Sequence, residues 1–319
     1  AFGDAHGFVA AWCYWVSNIV WLPTVLVLVS MIALQLIGGP DAAWAEDPWR
    51  NAIVCLAVLW ATTALNIFGL ERAKWIQNVG ATATWLCIAL LVVLGGVFAA
   101  RNGSAQPFSA AALVPDLTDL SILPYFGMVA FCFGGLELAP VLAGEVRDPA
   151  RTIRRAALMA SLAVAAIYVA GTTMVIVTVP SGEIEIIDGV AQSFRAVGDG
   201  LGAPWIGPAG AALVVASTLG LFGSWMTGTA RIPFVIGLDH YLPDALGRVH
   251  ARWGSPWVAL LVQGGVLTLL FVASVAGATL EEAFLVLLDM SIVLYFIPFL
   301  YMFAALVVHV RGGTGTGVV

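Results

Sequence analysis

Charge is what this sequence has least of. Only 10% of its 319 residues are charged, against 61% hydrophobic, a balance that in water would leave an apolar exterior and that a bilayer tolerates. With 13 basic residues against 19 acidic ones, and the basic ones spread over loops, nucleic acid is not an expected partner. Cysteine is scarce and unpaired: Cys13, Cys55, Cys87 and Cys132 lie singly in apolar stretches with no CxxC spacing. They read as buried small residues, and with no clustered histidine neither a disulfide framework nor a zinc site follows. No nucleophile–base pair stands out, so no catalytic residue, metal ligand or cofactor is assigned. A basic stretch ahead of the first apolar run is also missing, and that run of about 30 residues does not fit a cleavable signal peptide. The opening AFGDAHGF has no methionine, and the chain is expected to be a fragment of a longer protein.

What the sequence has in abundance is long apolar runs. A hydrocarbon core of about 30 Å takes about 20 helical residues, and eight runs qualify: 8–37, 51–70, 76–100, 124–143, 156–179, 204–230, 256–277 and 283–310. Lipid forces each backbone polar group to bond within its own segment, so these runs are predicted helices. The short alternating strands of a membrane β-barrel are absent. An all-α, polytopic membrane protein with eight transmembrane helices is expected. Loop charge sets orientation. Arg72, Lys74, Arg147, Arg151, Arg154, Arg155, Arg231, Arg248, Arg252 and Arg311 fall on one side, and only Arg50, Arg101 and Arg195 on the other. The positive-inside rule then starts the chain in the cytoplasm.

The fourth run is unlike the others. In LPYFGMVAFCFGGLELAPVLAGEV, Gly134, Gly135 and Glu137 sit near the midpoint. Adjacent glycines cost about 1 kcal/mol each in a helix interior, and a carboxylate at that depth costs more. Non-helical backbone is tolerated there where it lines a cavity, and broken helices of this kind form midplane substrate sites in secondary transporters. The freed amides and carbonyls of Cys132 to Leu136 would then contact a ligand or ion. The other reading is close helix packing through small residues, with Glu137 hydrogen-bonded to a neighbour. Glu137 is a candidate for proton coupling or a structural carboxylate, and Asp289, inside the last run, is a second candidate.

The segment AFCFGGLELAPVLAGEVRDPARTIRRA resembles the sixth transmembrane helix and following loop of the amino acid/polyamine/organocation (APC) superfamily of permeases. GFVAAWCYWVSN is similar to the third helix of that family, and ARIPFVIGLDHYLPDALGRVHARWGSP to the end of its eighth helix and the next loop. The resemblance implies a fragment covering family helices three to ten of a five-plus-five inverted-repeat (LeuT-like) fold with one discontinuous helix. Residues 1–123 would be the remainder of the first repeat, with three helices. Residues 124–310 would be the complete second repeat, and 311–319 a flexible cytoplasmic tail.

Carried over by position, the resemblance makes Phe131 the aromatic that caps substrate and Cys132, Phe133, Gly134 and Gly135 the unwound segment. It places Asn18 as a substrate-lining polar residue, with Trp21 on the same face. Ordinary helix packing is the alternative for both. Some proton-coupled members carry a lysine deep in the fifth helix; the corresponding run here, IQNVGATATWLCIALLVVLGG, has none. Its Thr82 and Thr84, with Ser217, Thr218, Ser224 and Thr227, leave a sodium site conceivable, since a hard cation wants several oxygens. Asp148 followed by Pro149 suits an N-cap and first helical position. His240 and His250 lie in a loop without catalytic partners.

The function expected is secondary active transport of amino acids or related amines across the cytoplasmic membrane by alternating access, with the lipid bilayer and a small-molecule substrate as partners. H+ or Na+ is the candidate coupling ion, and antiport, symport and oligomeric state are not fixed. The first-helix half of the substrate site would lie outside this chain, so the fragment by itself should not transport. A channel or a membrane-embedded enzyme is the rival class, although pore-lining rings and a reactive cluster are both missing.

Overall fold

Hydrophobicity without periodic charge leaves the backbone one way to satisfy itself, and every regular element among the described residues is helical. The computed structural model describes residues 2–39, 47–107, 118, 120–185, 187–238, 241–275 and 279–311. Among the described residues, ten α-helices follow in order: α1 Asp4–Gly38, α2 Pro48–Ile67, α3 Leu70–Asn102, α4 Leu123–Cys132, α5 Pro149–Thr178, α6 Gly189–Gly200, α7 Ile206–Thr229, α8 Arg231–Leu238, α9 Trp257–Val275 and α10 Leu280–Arg311. Six stretches among the described residues are long and apolar enough to cross a membrane: Asp4–Gly38, Pro48–Ile67, Ala73–Asn102, Pro149–Thr178, Ile206–Ile236 and Phe284–His309. Of the other two predicted runs, 256–277 holds the shorter apolar α9. Run 124–143 is divided between α4 and a 3-10 segment, Leu136–Glu145. His240 and positions 312–319 of the predicted tail lie outside the described residues.

Helix starts follow local chemistry. Asp47 precedes Pro48, and its Oδ1 accepts the Arg50 amide at 2.9 Å, an N-cap with proline at the first helical position. Thr279 and Glu282 form a reciprocal capping box at α10: the Thr279 amide donates to Oε2 of Glu282 at 3.0 Å and the Glu282 amide to Oγ1 of Thr279 at 3.2 Å. The second Asp-Pro pair behaves differently. Asp148 adopts a left-handed φ of 47° and makes no side-chain cap. The Thr152 amide makes the first i to i−4 bond to the Asp148 carbonyl at 3.0 Å, and its hydroxyl donates to the Arg147 carbonyl at 3.0 Å. The expected position of the cap is right and its side-chain hydrogen bond is not made.

The chain forms two compact units, residues 1–24, 58–70 and 225–319 in the first and 25–57 and 71–224 in the second. In the first unit, polar side chains join helices at buried points. The Trp15 indole donates to Oε1 of Gln263 at 3.4 Å, and the Thr229 hydroxyl donates to the same oxygen at 3.2 Å. The Gln263 amide in turn approaches the Met226 carbonyl at 3.4 Å. Thr227 donates to the Asn66 side chain, and Ser255 to the Ile67 carbonyl at 2.6 Å. Trp21 packs edge-on against Trp225, with 4.9 Å between ring centroids.

In the second unit, glycine lets helices close on one another. A Cβ on Gly80 of α3 would stand 2.3 Å from the Gly220 Cα of α7, so the two backbones touch. Beside this crossing, the hydroxyls of Thr84 and Ser217 lie 2.6 Å apart. Alpha5 packs on α3 through Gly171 against Ile88 and Met174 against Gly95. The segment between the fifth and sixth predicted runs, expected as a loop, contains α6. Its Phe194 and Val197 join Cys87, Leu91 and Ile206 in a buried cluster, and Gly210 of α7 makes room for the Phe194 ring. The Arg195 guanidinium pairs with the buried Asp188 carboxylate at 2.9 Å.

Candidate functional site

The fourth predicted run ends as an α-helix at Cys132. Its last turn tightens: the Phe133 amide donates to the Ala130 carbonyl at 3.2 Å and the Gly134 amide to the Phe131 carbonyl at 2.9 Å, an i to i−3 pattern that closes a helix. Gly135 then takes φ 107° and ψ −20°, a backbone state that an L side chain enters only at a cost of about 1–2 kcal/mol. From Leu136 the chain winds on as 3-10 helix to Glu145, far beyond the three or four residues at which such helices usually stop. Pro140 falls inside this stretch, where an α-helix interior would lose a hydrogen bond and crowd the proline ring.

Two groups freed by the interruption have partners within the chain. Both Glu137 carboxylate oxygens accept from the Gly135 amide, at 3.0 and 2.9 Å. The carboxylate therefore closes over the very turn that exposes it, which is the hydrogen-bonded arrangement set beside the proton-coupling role on sequence grounds. The Tyr168 hydroxyl of α5 donates to the Cys132 carbonyl at 2.7 Å, and its ring meets Phe133 edge-on at 5.4 Å. Tyr168 is the residue that sequence reasoning missed. Its available signal is a single phenol in the otherwise apolar run LAVAAIYVAG, since a hydroxyl at membrane depth requires a hydrogen-bond partner.

The residues named for substrate fall in both compact units. Phe131, Cys132, Phe133, Gly134, Gly135 and Glu137 are in the second. Phe131 is half-buried, while Cys132 and Phe133 are exposed. Asn18, Trp21 and Asp289 are in the first. Asn18 is buried and donates its amide to the Tyr14 carbonyl one turn back at 2.7 Å, Trp21 lies on Trp225, and Asp289 is exposed on α10.

The cysteine expectation needs correcting. Cys55 and Cys87 are buried, but Cys13 is partly exposed, and Cys132, at the end of α4, is exposed. The hydroxyls weighed for a cation mostly bond their own helices: Thr82 to the Asn78 carbonyl, Thr218 to Val214 and Ser224 to Gly220, at 2.8, 2.8 and 2.9 Å. A threonine or serine in lipid commonly satisfies itself this way.

Comparison with known proteins gives this geometry a context. Residues 1–312 match a family model described as amino acid permease. The chain is 27% identical over 306 residues to an uncharacterized transporter of Legionella pneumophila, covering 96% of this chain and 65% of that protein. It is 24% identical over 307 residues to a protein of Lactococcus lactis named as a probable agmatine/putrescine antiporter, covering 96% of this chain and 64% of that one. An uncharacterized transporter of Mycobacterium tuberculosis is 28% identical over 292 residues, 91% of this chain and 61% of its own length. The chain thus spans less than two thirds of each of these relatives.

Proposed function

We propose, for a chain that belongs to the amino acid permease family, that the whole protein carries amino acids or related amines across the cytoplasmic membrane by alternating access. The observation that carries this reading is the interruption at Phe133–Gly135, with the left-handed Gly135 between an α-helix and a 3-10 segment. Carbonyls at the end of a helix carry partial negative charge, and amides at the start of the next carry partial positive charge. A break inside the bilayer therefore offers polar main chain to a solute where side chains are apolar.

The electrostatics of the break favour the amino end of such a solute. Glu137 already occupies the Gly135 amide, the donor that a substrate carboxylate would otherwise use. What remains at the end of α4 is carbonyl oxygen and a nearby carboxylate, which suit an ammonium group. The similarity to a protein named as an agmatine/putrescine antiporter supports the same choice. In this reading Phe131 caps the substrate, Cys132, Phe133, Gly134 and Gly135 hold it, and Asn18 and Trp21 line its path. The proposed coupling ion is a proton, carried by Glu137 ahead of Asp289; sodium dependence of uptake would transfer that role to an oxygen site. The five-plus-five repeat, with residues 124–310 as its second half, is part of this proposal.

The test is counterflow by the full-length protein in proteoliposomes, with labelled amino acids and with labelled putrescine and agmatine. Accumulation of at least one of them, competed by its unlabelled form and weakened by Phe131→Ala, is the expected result. Large unitary currents in place of saturable exchange would move the protein to the channel class.

A further inference from the structure

The hydrogen bond from Tyr168 to the Cys132 carbonyl at 2.7 Å joins the helix end at the break to a side chain of α5. In an uninterrupted α-helix that carbonyl would accept from the amide four residues on, at Leu136. Gly135 intervenes with φ 107° and redirects the chain. The Tyr168 hydroxyl supplies the missing donor at 2.7 Å, while the ring edge against Phe133 at 5.4 Å holds the next residue. Both ends of one side chain therefore engage the interruption. Tyr168 is itself fixed, because one turn further along α5 Gly171 lies against Ile88 of α3, and Met174 lies against Gly95.

A carbonyl oxygen has two lone pairs. Tyr168 takes one and leaves the other for a ligand N–H, so the hydroxyl sets the direction in which the remaining acceptor points. We propose that Tyr168 is a positioning residue of the substrate site, holding the Cys132 carbonyl and the turn through Gly135 in the attitude that receives an ammonium group. This rests on the reading of the break as a substrate site. Tyr168 acts through the main chain of α4, without itself having to touch the substrate.

The experiment compares wild type with Tyr168→Phe in the full-length protein, with labelled putrescine and labelled arginine counterflow in proteoliposomes. Tyr168→Phe keeps the ring against Phe133 and removes only the donor. KM should rise about fivefold, the size of one neutral hydrogen bond, with maximal rate per transporter within about twofold. The second measurement does not depend on transport. In a background where Cys13, Cys55 and Cys87 are alanine, maleimide should alkylate Cys132 several-fold faster once the hydroxyl is gone, because the turn is no longer held. Unchanged KM together with unchanged Cys132 labelling overturns the proposal, as does a loss of maximal rate alone. If the wild type exchanges neither solute nor any other amino acid or amine of the counterflow panel, the substrate reading fails, and the labelling rate still decides whether Tyr168 holds the turn.

Discussion

Replacing Gly80 with alanine should push α3 and α7 apart. The added Cβ would lie 2.3 Å from the Gly220 Cα, 2.9 Å from its amide nitrogen and 3.2 Å from the Ala216 carbonyl oxygen. All three are backbone atoms, so no side chain can swing aside. The helices must part by about 1 Å to restore ordinary contact. That movement stretches the 2.6 Å approach of Thr84 and Ser217 toward the limit of a hydrogen bond. Overpacking costs about 1–3 kcal/mol and a lost hydrogen bond about 0.5–1.5 kcal/mol, so destabilisation of about 2–4 kcal/mol is expected. Gly96→Ala is the matched control on the same helix, since its Cβ would meet nothing within 4 Å; relieved of glycine's helix penalty, it should be neutral or up to about 1 kcal/mol stabilising. The assay is thermal unfolding of the full-length protein in detergent, followed by monodispersity. Gly220→Ala should resemble Gly80→Ala. The double variant should cost less than the two singles together, because the helices need separate only once. A melting temperature for Gly80→Ala equal to that of Gly96→Ala would refute the backbone contact.

Gly135→Ala should cost about 1–2 kcal/mol from its left-handed backbone alone and lower uptake, measured by detergent melting and counterflow. Glu137→Gln keeps an acceptor for the Gly135 amide, whereas Glu137→Ala removes both. The glutamine variant should therefore melt near wild type and the alanine variant lower by about 1–3 kcal/mol; equal melting of all three would show that the amide contact contributes nothing. Gln263→Leu strands the Trp15 indole, while the Thr229 hydroxyl keeps its 2.7 Å bond to the Trp225 carbonyl, and should cost about 1–3 kcal/mol. Adding Trp15→Phe should then cost less than Trp15→Phe in wild type, and a double-mutant cycle reads the difference. Asp188→Ala leaves Arg195 without its 2.9 Å partner and should raise hydrogen exchange across α6; unchanged protection there would separate the ion pair from the placement of that helix.

By itself, the sequence determined the class of solvent, the all-helical architecture and the place of the interruption. Run length and apolarity decide the first two, because lipid supplies no hydrogen bonds and the chain must make its own within each segment. Two adjacent glycines and a carboxylate decide the third, since the cost of keeping them helical is local. The sequence did not show who answers each freed polar group. Tyr168 reaches Cys132 across 36 positions, and Trp15 reaches Gln263 across 248. No periodicity encodes such pairs. Alpha6 escaped notice because its 12 residues are held by the cluster of Cys87, Leu91 and Ile206 around Phe194 and Val197, and a search for long apolar runs does not register a short helix with one buried face. The Gly80–Gly220 crossing is of the same kind, for a glycine in a helix looks like a local weakness until a second backbone is found against it. Backbone hydrogen bonding is settled within a few residues and can be read along the chain; packing and the partners of polar side chains depend on distances that exist only once the helices have come together.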